Sequence, residues 1–257
     1  MSKVSVENIY MNYHSLKGTT EALKDISFEV SEGDFLSIVG PSGCGKSTLL
    51  NIIAGLVKSS DGQVYIDGSK SSGISPKIGY MFQRDHLFEW LTVYNNILLG
   101  LRIKKNINPA TIQKIDLMLK NYGLEDFKSH YPNELSGGMR QKVALIRTLA
   151  LNPEVLLLDE PFSALDYQTR LNISDEIFQI IKNEGKTVIM VTHDLSEAIS
   201  MSDRVLVLSK RPARVLKNYN ITFNGEHRSP LKSRESPEFT IYFNDIWKEL
   251  NSDDWST

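Results

Sequence analysis

The 257-residue chain has one cysteine, Cys44, which excludes an intrachain disulfide and leaves no set of thiolates for a zinc site. It has no basic excess: 29 Lys+Arg stand against 31 Asp+Glu, a formal net charge of −2. That balance gives no support to nucleic-acid binding. It also lacks a long apolar run. A membrane-crossing helix needs roughly 20 mostly apolar residues, whereas Val143–Leu151 and Val155–Leu158 are far shorter and are interrupted by Arg147 and Asp159. Met1–Ile9 does not carry the basic-then-apolar pattern of a signal peptide. Repeats and low-complexity blocks are missing as well. These absences predict a soluble, cytoplasmic chain whose membrane role, if it has one, runs through a partner.

What is present is an ordinary globular composition. Hydrophobic residues make up 41% and charged residues 23%, which excludes a disordered or fibrous chain. The length suits one large domain or two small ones. Short runs rich in Val and Ile alternate with helical patterns, which predicts an α/β fold. Strands are expected at Val4–Ile9, Ile26–Val30, Phe35–Val39, Gln63–Ile66, Ile78–Phe82, Val155–Asp159, Thr187–Val191 and Val205–Leu208. The runs at 35–39, 155–158 and 187–191 are apolar without alternation, as in parallel strands covered on both faces. The alternating pairs Val4/Val6 and Ile26/Phe28/Val30 fit a small antiparallel sheet instead.

Between 84 and 150 the strand signals vanish, and the stretch reads as an inserted helical subdomain. Asn108-Pro109 opens one helix by the cap-then-proline rule, with Ile112, Ile115, Leu119 and Tyr122 on one face and Gly123 closing it. A second helix follows Ser136 through Val143, Leu145, Leu149 and Ala150. A domain is expected over 4–233, followed by a tail, 234–257, with a peripheral helix bearing Phe239, Phe243, Ile246 and Leu250 and then a polar end.

Gly40-Pro41-Ser42-Gly43-Cys44-Gly45-Lys46-Ser47 matches G-x-x-x-x-G-K-[ST] between an apolar strand and an expected helix, Thr48–Leu56. Glycines let the backbone turn its N–H groups onto a phosphate, and the helix start adds a favourable dipole. Lys46 is placed to reach the β- and γ-phosphates of a nucleotide and Ser47 to ligate Mg²⁺. Cys44 reads either as a reactive thiol or as a small residue offering its backbone N–H. Val155–Asp159 ends an apolar strand in an acid, where open α/β sheets carry their ligands, so Asp159 suits Mg²⁺. Glu160, one residue on, suits a general base for an attacking water. Thr192-His193-Asp194 closes another strand, and His193 is a candidate for the γ-phosphate and that water, or a structural histidine. Gln83 offers an amide to Mg²⁺ and water.

Leu135-Ser136-Gly137-Gly138-Met139-Arg140-Gln141 closely resembles the LSGGQ signature of ATP-binding cassette (ABC) proteins, with Met139 where glutamine is commonest. The resemblance covers about 220 residues in family order. It implies a P-loop NTPase cassette: a mostly parallel core sheet, a small antiparallel β subdomain and an inserted helical subdomain. It makes Tyr13 the adenine-stacking aromatic, 40–48 the phosphate loop with Thr48 at its end, and Gln83 the glutamine of the Q-loop. Ser163-Ala164-Leu165-Asp166 becomes the D-loop and His193 the switch histidine. Tyr13 keeps the alternative of a core aromatic.

The resemblance further implies an ATPase with ATP and Mg²⁺, and a head-to-tail dimer in which Ser136, Gly137 and Gly138 of one copy cap the ATP of the other. Residues 84–100, with Leu87, Phe88, Trp90, Leu91 and Val93, become the groove for a membrane permease, though part of this set is expected only to pack internally. A permease and, indirectly, a solute-binding protein are the implied partners, at the cytoplasmic face of the cell membrane. Arg204–Val215 and Leu87–Thr92 resemble the nitrate/sulfonate/taurine importer branch. The alternative is an ABC-type ATPase acting without a permease. A P-loop GTPase would need an [NT]-K-x-D guanine motif, which the sequence lacks.

Overall fold

In the computed structural model, which describes residues 2–16, 18–224 and 228–251, the chain opens with two long strands, β1 (Ser2–Ser15) and β2 (Gly18–Ser31). Then come β3 (Phe35–Val39), α1 (Lys46–Ile53), β4 (Asp61–Ile66), β5 (Ser69–Lys70) and β6 (Ile78–Met81). Three helices follow without a strand: α2 (Val93–Ile103), α3 (Pro109–Asn121) and α4 (Gly137–Leu149). The second half is β7 (Val155–Asp159), α5 (Tyr167–Asn183), β8 (Thr187–Val191), α6 (Leu195–Met201), β9 (Arg204–Leu208) and β10 (Val215–Asn220). Two helices, α7 (Pro230–Glu235) and α8 (Pro237–Asn251), end the described chain.

Two sheets result. The antiparallel one runs β2-β1-β4-β5, and the other runs β10-β9-β3-β8-β7-β6 with only β10 antiparallel to its neighbour. Every residue of β3 and β8 is buried, which is why these runs show no polar alternation. Their side chains still alternate between faces. Val155 and Leu157 point to a core shared with the antiparallel sheet and α1. Leu156 and Leu158 point to a core shared with α2, α3, α4 and α5. A third cluster holds α6 and α8 on Val39, Val205 and Val207. Lys3 bridges Asp67 at 2.8 Å and Glu154 at 2.5 Å, pinning the antiparallel sheet to the edge of the parallel one.

The register sets the site. Ile38 pairs with Val191 and Val191 with Asp159, so β3, β8 and β7 end level and side by side. The residues just past them are Gly40, Thr192 and Glu160. Local signals hold two helix starts: Asn108 and Thr111 form a reciprocal capping box on α3, with Pro109 in its first turn, and Ser136 accepts from the Met139 N–H at the start of α4.

Several boundaries differ from expectation. The first helix runs Lys46–Ile53 rather than Thr48–Leu56, because the loop lysine already belongs to the first turn and Gly55 (φ 73°) ends it. The first two strands extend far past Val4–Ile9 and Ile26–Val30 into a hairpin whose outer residues are polar and exposed. The strand expected at Ile78–Phe82 stops at Met81. β5 is an exposed edge strand, and β10 is an edge strand with only Val215 and Tyr219 half-buried against the core; the pattern did not reveal either. The tail helix carries its stripe as expected, with Ile246 buried; the expected polar end of the tail lies partly outside the described residues.

Candidate functional site

β3 delivers the glycine-rich loop into a cavity of about 500 Å³. Gly45, at φ 123°, is in a region that only glycine adopts freely. A Cβ there would also lie 2.8 Å from the Leu23 side chain. Gly45 caps α1 without a side-chain hydrogen bond, so the first N–H groups of that helix have no side-chain acceptor. Ser42, Gly43, Gly45, Lys46, Ser47 and Thr48 line the cavity; Gly40, Pro41 and Cys44 do not. Lys46 is buried and donates to the carbonyls of Gly40 (2.9 Å) and Pro41 (3.0 Å). The Cys44 N–H goes to the Pro41 carbonyl at 3.2 Å. Its thiol is buried, and burial pushes its pKa up. Geometry and chemistry thus favour the small buried residue over the reactive thiol.

Across the cavity stand Glu160 and His193. Asp159 accepts from the Ser47 hydroxyl at 2.9 Å and from the Tyr80 hydroxyl at 3.2 Å. Burial raises its pKa, and these two hydrogen bonds oppose the rise. The Ser47–Asp159 pair offers hard oxygens, the donor set Mg²⁺ takes with only one or two carboxylates and the rest from phosphates and water. No cluster of three or more His, Cys, Asp or Glu that could hold a metal occurs among the described residues.

Glu160 turns the chain at φ 45°, a costly conformation outside glycine. Its N–H is held by the Val191 carbonyl at 2.8 Å. Its carboxylate is 3.1 Å from Nδ1 of His193 and accepts from the Gln83 amide at 3.3 Å. Gln83 also donates to Ser163 at 3.3 Å. Its amide nitrogen therefore meets the carboxylate rather than the Ser47–Asp159 pair.

Tyr13 is 45% exposed, with its hydroxyl 3.3 Å from Thr48 Oγ1. It is not a core aromatic, and its ring is open to a ligand beside the loop. Ser136, Gly137 and Gly138 lie elsewhere and do not line the cavity. Ser136 is exposed. Gly138 is buried, and a Cβ there would sit 2.6 Å from Ile173 on α5, so packing alone requires this glycine.

The stretch after Gln83 divides as expected. Leu87 and Val93 are buried, whereas Trp90 is 73% exposed and packs on Phe88 at 5.1 Å between ring centroids. Two arginines of α4 hold this segment. Arg140 grips the Asp85 carboxylate at 2.8 Å, and Arg147 donates to the carbonyls of Asp85 and His86 at 2.6 and 2.7 Å. Buried Asn96 bonds Phe88, Leu91 and Thr92 through their backbones.

Arg211 is a cavity residue that pattern reasoning missed. It lines the loop side, and its guanidinium donates to the Gly43 carbonyl at 2.6 Å. A lone arginine 168 residues past Gly43 carries no local signal. Tyr80 was missed likewise, since its hydroxyl reaches Asp159 and Asn51 from an ordinary strand position.

The family model described as ABC transporter matches residues 23–163. The ABC transporter ATP-binding protein YtlC of Bacillus subtilis (strain 168) is 46% identical over 98% of this chain and 97% of its own. A taurine import ATP-binding protein, TauB of Pelagibacter ubique (strain HTCC1062), is 42% identical over 87% of this chain and 84% of its own. Among solved structures, the ATP-binding cassette MJ0796, a dimer in a post-hydrolysis state bound to ADP and Pi, superposes with a TM-score of 0.73. It is 37% identical and covers 86% of this chain and 99% of its own.

Proposed function

The chain belongs to the ABC transporter family of ATP-binding proteins, and on that premise we propose that it is the ATPase subunit of an importer of the nitrate/sulfonate/taurine type. Its cassette spans 4–233, with 84–150 as the helical insertion and 234–257 as a tail. It binds ATP and hydrolyses it to ADP and phosphate, working with a separate membrane permease and, through that, a solute-binding protein. The site of action is the cytoplasmic face of the cell membrane. No helix among the described residues is long and apolar enough to cross a membrane, and Phe88 and Trp90 form the exposed patch offered to the permease.

Tyr13 stacks the adenine. The loop from Gly40 to Thr48 wraps the phosphates, and Lys46 leaves the loop carbonyls for the β- and γ-oxygens. Ser47, Asp159 and the amide oxygen of Gln83 are the donors for Mg²⁺, which when bound neutralises charge on the outer phosphates. Glu160 accepts a proton from the attacking water as that oxygen bonds the γ-phosphorus and the bond to the ADP oxygen breaks. His193, 3.1 Å from that carboxylate, orients it. A second copy packs head to tail, so that Ser136, Gly137 and Gly138 of each reach the nucleotide of the other. Support for this arrangement comes from the exposed signature start, which does not line its own chain's cavity, and from the dimeric state named for MJ0796.

One observation carries the reading: Glu160 and His193, in contact with each other, share one cavity with Lys46 and Ser47. In Glu160→Gln, ATP should still bind, turnover should fall by about 10²–10⁴-fold, and ATP should shift the protein to a dimer in gel filtration. Full turnover would remove the general base from the account.

A further inference from the structure

Behind His193 lies a polar network that the chemistry above does not use. Arg170 stands in the first turn of α5, and its guanidinium reaches two loops. It donates to the Leu165 carbonyl at 3.0 Å and to the Asp194 carboxylate at 3.4 Å, with Nε 3.8 Å from the Glu197 carboxylate. Glu197 is 2% exposed and accepts from the Thr192 hydroxyl at 2.7 Å. That hydroxyl in turn accepts the Asp194 N–H at 3.0 Å, while Asp194 caps α6 through the N–H groups of Ser196 and Glu197. Both neighbours of His193 are therefore tied to one pair, the half-buried Arg170 and the buried Glu197.

The other end of the network reaches Glu160. Leu165 closes the segment that starts at Glu160, where Ser163 bonds the Glu160 carbonyl and receives the Gln83 amide. The Leu165 side chain lies 3.0 Å from where a Cβ on Gly137 would stand. A buried carboxylate is a poor means of gaining stability, since desolvation offsets the attraction of its partner. Burial also holds its carboxyl up at about 7. What a fan of donors into two loops does provide is a fixed relative position.

We propose that Arg170 and Glu197 are positioning residues that set His193 on Glu160 and transmit displacement of the 160–166 segment, and of the signature start against it, to the histidine. The inference rests on the ATPase reading above. Nothing in the network touches the phosphate loop, so nucleotide affinity is left to Lys46 and its neighbours.

The test is steady-state turnover of the full chain with Arg170→Ala, Arg170→Lys and Glu197→Gln, alongside binding of a fluorescent ATP analogue. Arg170→Ala should lower kcat about 10-fold or more, the scale of a misplaced catalytic group, with analogue affinity close to the parent's. Arg170→Lys should recover only part, because one ammonium cannot reproduce the guanidinium fork that spans the Leu165 carbonyl and the Asp194 carboxylate. Arg170→Ala with Glu197→Gln should be no slower than Arg170→Ala alone, as expected of one unit. The ring resonances of His193 in NMR, assigned through His193→Ala, should move in both single variants. Parental kcat in Arg170→Ala would overturn the inference, and so would a loss of kcat with unmoved His193 resonances and a lowered Tm. A parent protein without ATPase activity would instead overturn the reading beneath it.

Discussion

Helices α1 and α4 both begin at a small residue beside glycines, yet their starts are left in different states. At α1 the cap is Gly45, with no side chain to accept the first N–H groups, and a cavity of about 500 Å³ opens beside it. At α4 the cap is Ser136, whose hydroxyl already accepts from Met139, and that start lies outside the cavity. An uncapped helix start costs stability unless something supplies the acceptors. The first start is therefore built for an anion, within one chain. The second stands ready on the surface, and in the proposed dimer it meets an anion only when another copy brings one.

The comparison breaks most visibly at Ser136. Ser136→Arg should lower turnover by about 10³-fold, the scale of a missing phosphate-stabilising donor, while the affinity of the isolated chain for an ATP analogue stays near the parent's. Loss of binding would mean that both starts serve one site. Lys46→Ala should lose turnover and binding together. It removes a charge-assisted partner of the phosphates and should weaken binding by roughly 100-fold, as measured by calorimetry. Tyr13→Ala should weaken it by about 10-fold, in keeping with one lost stacking contact, and should weaken binding of inorganic pyrophosphate not at all.

A smaller effect tests the region behind His193. Burial holds the Glu197 carboxyl at about 7, against an ordinary 4.5, so the folded chain keeps a proton that the unfolded chain releases. The stability from this group is fully present below 4.5 and is lost as pH rises through about 7. Glu197→Gln has no such loss. Its Tm relative to the parent should therefore rise between pH 5 and 8, by on the order of 5 °C. An unchanged difference across that range would mean that the carboxyl is already ionised at pH 5.

Much of this was legible in the sequence, for identifiable reasons. The buried runs at 35–39, 155–158 and 187–191 are apolar because both faces are covered, and the residues that follow them mark the site because parallel strands end together. Asn108-Pro109 and Ser136 announce helix starts through short-range chemistry that needs no tertiary context. Arg211, Tyr80 and Arg170 were not legible, since each acts across the fold on a backbone or carboxylate far away in sequence. Likewise β5 is a two-residue exposed edge, and β10 is an edge whose only half-buried residues, Val215 and Tyr219, are too few to make a strand pattern. Gly138, read as part of an anion site, carries a second requirement that the pattern did not show: it is also the glycine that lets α4 approach Ile173.

The central claim is that the two helix starts belong to one reaction but to different copies of the chain. Mixing Lys46→Ala protein with Ser136→Arg protein tests it. In a mixed head-to-tail dimer, the sound loop of one variant faces the sound signature of the other, so one intact site is rebuilt. Random pairing should then return roughly a quarter of the parent's ATPase activity from two variants that are each inactive alone. A mixture as inactive as its components would contradict the account.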